Sequence, residues 1–567
     1  MSDACGRLRV ISVCILAWSL FADPAVAQQG EYQIIVDVSQ QGTPFKPVWA
    51  SFGYDEPNYT YMKDGKKLLS ELAALSPVPV YIRTHNLLTT GDGTPALKWG
   101  STNAYTEDDK GNPVYNWALV DSIFDTYINR GMKPLVEIGF MPQALSVQPS
   151  PYQHHWKPGV DYNKIYTGWA YPPKDYSRWA DLVYEWVRHS LARYGEAQVK
   201  SWWWEVWNEP NIGYWKGTEE EYLMLYDYAA DAVKRAFPQA RIGGPATTGP
   251  GWDKAADYLQ HFLAHCATGK NFATGKTGSP LDFVSFHAKG SPRVVDGHVV
   301  MNMAPQLKDV ARGFQIVASS PFRHLPVLIT ECDPEGCAAC GMTTNPENAY
   351  RNGTMYSSYT AASFVRVFDL AGRYNVNLEG VTSWSFQFEG QRWFDGFRDL
   401  ATNGVDKPVL NVFRMFGRMR GDRVSVVNTN EIPLDSVLKN SVRHGPDVGA
   451  FAVRDQASTS VMLWNYHDAD VPAQPAHVRV IIRNVPGQKV LLHHYRVDAA
   501  HSNAYERWKQ MGSPQQMNGD QLRQLEDAGQ LELVDSPKWI TTDRGQVILD
   551  FSLPRQGVSL LSLQYRQ

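Results

Sequence analysis

Residues 201–210 read SWWWEVWNEP, a short apolar run that stops at Asn208-Glu209-Pro210. It is too short for a stable helix and too continuous for a strand with one wet face. Its flanks define its context. Upstream, Trp179, Leu182, Val183, Trp186, Val187 and Leu191 recur at helical spacing within 177–194. Downstream, Thr218 and Glu221 form a T-x-x-E capping box, followed by Tyr222, Leu225, Tyr226, Ala229, Val233 and Phe237 on one helical face. A strand apolar on both faces between two amphipathic helices is a unit of a parallel sheet.

The unit recurs. Strand candidates lie at 48–54, 78–85, 133–140, 201–208, 240–247, 281–287, 326–331 and 380–387. Helices are expected near 65–75, 117–130, 177–194, 218–237, 253–266, 305–318, 355–373 and 407–419. Eight β/α units predict an α/β fold, a (β/α)8 TIM barrel over 48–424. Large loops follow strand two (86–116) and strand three (141–176). From 425 to 567 the period changes to two: 449–454, 459–465, 477–483, 489–497, 546–551 and 558–565 alternate and are separated by turn residues. That predicts an accessory C-terminal β-sandwich, interrupted by a polar, partly helical insertion at 502–530. The stretch 28–47 carries an early strand, 32–38, expected to join the sandwich and clamp the two domains.

The 567 residues include 12% aromatic side chains, which excludes a disordered chain. The net charge of −4 gives no general attraction to nucleic acid or anionic membranes. Residues 1–27 read as a signal peptide: Arg7 and Arg9, then the apolar run Val10–Phe21, then Ala25-Val26-Ala27. Twelve helical residues reach about 18 Å, short of the roughly 30 Å of a hydrocarbon core. The expected location is therefore periplasmic or secreted, with no membrane span. Removal of the leader leaves Cys266, Cys332, Cys337 and Cys340 in an oxidising space. Cys337 with Cys340 is the expected loop clip, and Cys332 with Cys340 is the alternative. Three clustered cysteines without a nearby histidine make a poor metal site, and no metal is expected. Phosphate-binding glycine fingerprints are missing from the sequence, and the chemistry below requires no cofactor.

Active-site groups of a TIM barrel sit at the C-terminal ends of its strands. Strand four ends in Glu209 and strand seven in Glu331. Two such carboxylates can face each other across a glycosidic bond, one protonating the leaving oxygen and the other attacking the anomeric carbon. Arg83 on strand two is expected to point inward and keep Glu331 ionised, or to pair with Glu137 or Glu205 inside the barrel; the two roles are compatible. Glu205 shares parity with Glu209 and reads as structural. Strand eight offers Trp384, then Gln387-Phe388-Glu389 and Trp393-Phe394-Asp395. There an aromatic face would stack on a sugar while Glu389 accepts from its hydroxyls. Trp156, Trp169 and Tyr171 would shape a further subsite from the strand-three loop.

These strings resemble a known family. Trp207-Asn208-Glu209-Pro210 is similar to the acid/base motif of the clan A glycoside hydrolases, and Leu328-Ile329-Thr330-Glu331 to their strand-seven nucleophile. The longer strings EVWNEPNIGYWKG (205–217), YIRTHNLL (81–88) and DFVSFHAKG (282–290) resemble glycoside hydrolase family 39, and HHYRVDAAHSNAY (493–505) carries the likeness into the sandwich. That family contains β-xylosidases and α-L-iduronidases. The resemblance implies a retaining mechanism with Glu209 as general acid/base and Glu331 as nucleophile. It further implies that Asn208 bonds the sugar 2-hydroxyl and that His85 and His287 bind sugar hydroxyls.

Lys289 divides the branches. His-x-Lys-Gly at 287–290 resembles the iduronidase branch, in which a lysine pairs with the substrate carboxylate. Within its own loop, Glu335 or Asp333 would instead neutralise it. The loop Cys332–Cys337 resembles neither branch and is expected to wall the pocket. The sequence thus predicts an exported retaining glycosidase, foremost a β-xylosidase acting on xylo-oligosaccharides. The alternatives are an α-L-iduronidase-like or arabinose-releasing exo-enzyme and, in another class, a catalytically silent carbohydrate-binding barrel. Both glutamates argue against the last.

Overall fold

The computed structural model describes residues 32–385 and 389–566. The leader read from residues 1–27, and Gln387 and Phe388 after strand eight, lie outside the described residues. The fold is a (β/α)8 TIM barrel with a β-sandwich. Strands one to seven are Ser51–Tyr54, Tyr81–Thr84, Lys133–Ile138, Trp203–Val206, Arg241–Thr247, Phe283–Lys289 and Val327–Asp333, each parallel to the next. Strand eight comes in two pieces. Leu378–Val381 pairs with strand seven and Ser383–Trp384 with strand one, which closes the sheet. Gly53 permits that closure, because a Cβ there would lie 2.3 Å from the Trp384 ring.

The eight helices begin with Lys63–Ala73 and end with Pro408–Arg418, one after each strand. The Thr218–Glu221 capping box is formed at the start of Glu219–Ala236. Inside the barrel, Leu135, Trp203, Phe283 and Leu328 make a buried apolar plug. Tyr81 packs against it, and two residues beyond Tyr81, Leu135 and Trp203, the side chains of Arg83, Glu137 and Glu205 form a buried charged layer above it. The period of two along each strand produces this layering. Trp202 and Trp204 have the opposite parity; Trp204 meets Trp186 of the third helix, with ring centroids 5.6 Å apart.

Two sheets form the sandwich. Tyr32–Asp37 runs parallel to Ala476–Arg483 and antiparallel to Val426–Asn428, with Val547–Leu553 at the far edge. The other sheet contains Asp422–Val424, Asp447–Arg454, Ser458–Tyr466, Val558–Tyr565 and Lys489–Val497. After the barrel, sandwich pairing resumes at Asp422, slightly before residue 425. Ile34, Val36, Val448, Val461, Val478 and Leu561 are among its core. The sandwich docks on the seventh helix, Thr354–Tyr374, through Phe368 stacked on Phe451 and an Arg366–Asp447 ion pair of 2.6 Å. The insertion supplies helices Ala504–Gln510 and Gly519–Ala528.

Candidate active site

The chain turns sharply where strand four ends. Trp207 and Glu209 have φ of 71° and 44°, in the left-handed region that non-glycine residues seldom occupy. Neighbouring strands hold this elbow. The Trp207 N–H donates to Ile138 O at 3.2 Å, the Glu209 N–H donates to Ala246 O at 2.9 Å, and the Trp207 indole donates to Tyr214 O at 3.0 Å. Between strands six and seven the register slips at Phe286/His287, so His287 pairs with Glu331 and Lys289 with Asp333. The bulge at Thr330 re-aims the end of strand seven and sets these four side chains together.

Glu209 and Glu331 line one cavity of about 500 Å³. Carboxylate oxygens of the two and the nearest His287 nitrogen all lie within 4.8 Å of one another. A retaining pair needs about 5–5.5 Å, while an inverting pair stands at about 6.5–9.5 Å to admit a water. His287 bridges the pair: its Nδ1 is 2.9 Å from Glu209 Oε1 and 3.8 Å from Glu331 Oε2.

Glu331 sits among cations. Arg83 donates to its Oε1 at 3.1 Å and Lys289 to its Oε2 at 2.8 Å. Burial alone would raise its pKa, but Lys289, His287, His85 and Arg83 hold it well below the usual carboxylate range. Arg83 makes both sets of contacts that the sequence reading allowed. It also donates to Glu205 at 2.6 Å and to Asn208 Oδ1 at 3.0 Å, and it pairs with Glu137 at 3.1 Å. His85 lines the cavity, yet its nitrogens face carboxylates: Nδ1 is 2.9 Å from Asp55, and Nε2 is 3.1 Å from Glu137 and 3.5 Å from Glu331. Burial would lower its pKa; Glu137, Asp55 and Glu331 outweigh this and push it up to about 9. Those carboxylates favour its charged form within the layer, and its ring lies 4.3 Å from that of Trp384.

Lys289 is neutralised in place. Its ammonium donates to Asp333 Oδ2 at 2.6 Å as well as to Glu331. Asp333 is the partner, and Glu335 is engaged elsewhere, with Arg351 and with Arg398. Burial would raise the Glu335 carboxyl, but the two guanidiniums hold it down at about 2. The Cys337–Cys340 disulfide forms, while Cys332 and Cys266 are buried free thiols. Gly336 and Cys337 line the cavity, so this loop is part of its wall.

Strand eight brings Trp384 into the cavity and sends other candidates away. Trp384 is buried, its backbone N–H donates to Asp333 Oδ1 at 2.8 Å, and Arg83 lies 5.0 Å from its ring centroid. Glu389 does not line the cavity. Its Oε1 accepts from the N–H of Asp64 at 2.7 Å and of Gly65 at 3.4 Å. It caps the first helix, whose unpaired N–H groups attract a carboxylate. Phe394 is buried against Ala504, Trp508 and Leu525, with Trp393 packed on the same cluster. Asp395 accepts from the Thr343 hydroxyl at 3.1 Å. Trp156 and Trp169 are also buried; Trp169 packs behind Tyr214, with centroids 5.7 Å apart. Tyr171 does not line the cavity either.

Sequence reasoning missed Asp55, Lys98, Tyr162, Tyr214, Trp252 and Asp309, all of which line the cavity. Asp55 directly follows strand one, so the strand-end rule applied to that strand would have found it. Lys98 pairs with it at 2.6 Å, and Tyr162 and Tyr214 share a hydroxyl contact of 2.6 Å. Lys98 and Tyr162 reach the site from the long loops after strands two and three, which carry no local signal, whereas Tyr214 lies five residues after Glu209 in the string 205–217.

A TIM barrel with carboxylates from strands four and seven in one cavity at its C-terminal face has the architecture of a glycosidase. The sequence model of glycosyl hydrolases family 39 matches residues 32–541, and the chain belongs to that family. It is 28% identical to a β-xylosidase of Geobacillus stearothermophilus over 85% of this chain and 86% of that one. It is 24% identical to the α-L-iduronidase of Mus musculus over 89% of this chain and 77% of that one. A GH39 enzyme from Xanthomonas axonopodis pv. citri has the same fold, with TM-score 0.75 at 23% identity, covering 96% of this chain and all of that one.

Proposed function

We propose that the protein is an exported, retaining β-xylosidase that releases xylose from xylo-oligosaccharides. The observation that carries the mechanism is the Glu209–Glu331 separation, within 4.8 Å at the closest oxygens. Glu331, kept ionised by its cations, attacks the anomeric carbon. The bond from that carbon to the leaving oxygen breaks, and the oxygen keeps the electron pair and takes the proton of Glu209. Water then attacks the glycosyl ester, giving one proton to the Glu209 carboxylate and its oxygen to the sugar. Glu331 departs as a carboxylate and the anomeric configuration is retained. Asn208 spends its Oδ1 on Arg83, which leaves Nδ2 to donate to the sugar 2-hydroxyl. His287 steadies the acid, and Trp384 offers an apolar floor to the sugar.

The neutral glycone is favoured by Lys289. Two carboxylates already satisfy its charge, so a substrate uronate would have to displace one of them. The β-xylosidase relatives support the same reading. The α-L-iduronidase-like reading rests on the presence of that lysine in the cavity and on the iduronidase relatives. Export is supported by the leader pattern of residues 1–27 and by the Cys337–Cys340 bridge. The test is initial rates on 4-nitrophenyl β-D-xyloside, α-L-iduronide, α-L-arabinofuranoside and β-D-glucoside. Preference for the xyloside is expected. Preference for the iduronide would transfer Lys289 to the substrate, and no turnover with retained sugar binding would revive the silent barrel. N-terminal sequencing of the exported protein tests cleavage after Ala27.

A further inference from the structure

Strand five leads into its helix through Thr248-Gly249-Pro250-Gly251-Trp252. Trp252 lines the cavity that holds both glutamates, and it is 51% exposed. Most tryptophans of this chain are buried. Lys254 Nζ stands 5.6 Å from the Trp252 ring centroid, and half of the tryptophan remains open to solvent beside the two glutamates.

The loop that carries it is rigidly built. The Asn211 side chain accepts from the Thr248 N–H at 3.0 Å and donates to the Thr248 hydroxyl at 2.6 Å. The Gly251 N–H donates to Asp309 Oδ1 at 2.8 Å, and Asp309 Oδ2 accepts from the Lys289 N–H at 3.0 Å. The loop lies flat on that carboxylate: a Cβ on Gly249 or Gly251 would fall 2.1 or 2.4 Å from an Asp309 oxygen. The Trp252 N–H closes the turn on Gly249 O at 3.1 Å. One buried carboxylate thus ties the tryptophan loop to strand six beside the nucleophile.

The position of the loop assigns it a side of the scissile bond. A general acid must touch the leaving oxygen, so the leaving group lies on the Glu209 side. Asn211 and Ile212 lie two and three residues after Glu209, and Thr248 is hydrogen-bonded to Asn211. Ile212, Thr248 and Trp252 therefore extend the wall outward from the acid. Resting on the glycosidase reading above, we propose that Trp252 is the platform for the leaving group: it stacks on the apolar face of the first sugar, or aryl ring, beyond the scissile bond.

The experiment compares two substrates with one glycone, β-xylosyl fluoride and β-1,4-xylobiose. Fluoride has no face to stack; the second xylose has one. The readout is the ratio of kcat/KM for xylobiose to kcat/KM for the fluoride, in wild type, Trp252→Ala and Trp252→Phe. In Trp252→Ala the ratio is expected to fall about three- to tenfold, the range of one aromatic stacking contact. Trp252→Phe should restore most of it. An unchanged ratio in Trp252→Ala, or a Trp252→Phe ratio as low as that of Trp252→Ala, overturns the proposal. A wild type inert on both xylosides defeats the xylosidase reading instead, and the same pair built on its preferred glycone then tests Trp252.

Discussion

The ammonium of Lys289 stands 2.8 Å from Oε2 of Glu331, and the same nitrogen is 2.6 Å from Asp333. Sequence left this lysine between a substrate carboxylate and an acid of its own loop. The fold gives it to the strand-seven glutamate. Its charge helps keep Glu331 ionised. In Lys289→Met that support is lost and the Glu331 carboxyl rises. The acid limb of kcat/KM against pH, which reports the free enzyme, should move up. An unmoved limb would show that Arg83 and the histidines suffice.

Glu331→Ala should lose about four orders of magnitude or more in kcat. Azide should partly restore turnover from the face the carboxylate vacates. The product expected from a β-xyloside is then the α-xylosyl azide, identified by its anomeric proton. A β-azide would contradict the assignment of this glutamate as nucleophile.

Glu209→Ala removes the proton donor and leaves the nucleophile in place. Activated aryl xylosides, whose leaving groups need little protonation, should lose far less kcat/KM than xylobiose, by a difference of about a hundredfold. Equal losses on both would mean that Glu209 acts before bond cleavage, in binding.

His85 predicts a pH dependence of stability. Its folded pKa, about 9, lies above the roughly 6.5 of an unfolded histidine. A raised pKa contributes stability that is complete below about pH 6.5 and fades as pH climbs through about 9. Wild-type Tm should therefore fall between about pH 7 and 10 more steeply than that of His85→Gln. Parallel curves would rule out a charged His85.

Arg351 gathers the cysteine loop beside its disulfide. It donates to the carbonyls of Cys337 at 2.7 Å, Ala338 at 3.1 Å and Cys340 at 2.9 Å, and pairs with Glu335. Arg351→Ala should cost about 3–5 kcal/mol, because it strips several buried carbonyls of their donor and leaves Glu335 with one guanidinium, that of Arg398. A bridge closing so short a loop contributes about 2 kcal/mol, so Cys337→Ser/Cys340→Ser should cost less in urea unfolding. The reverse order would make the bridge the main constraint.

The barrel was legible because its information is local. Apolar runs such as Trp203–Val206 and capped amphipathic helices such as Glu219–Ala236 are written within one unit each. Strand ends in a parallel barrel all point to one face, so Glu209 and Glu331 could be paired across more than a hundred residues. Glu389 misled for the opposite reason: its position after strand eight was readable, but the free N–H groups at Asp64 that captured it were not.

By itself, then, the sequence determined the layers of the fold, the two glutamates and the family. Tertiary structure decided which partner each charge takes. Strand parity states that Arg83, Glu137 and Glu205 face inward, and only closure of the barrel puts Arg83 on Glu331 as well. The bulge at Thr330 sets Lys289 beside Asp333 and Glu331. Long loops carry Lys98 and Tyr162 to a cavity that their own neighbours do not announce. Periodicity is a property of neighbours along the chain, whereas ion pairing is settled by distances across it, and those exist only once the barrel is closed.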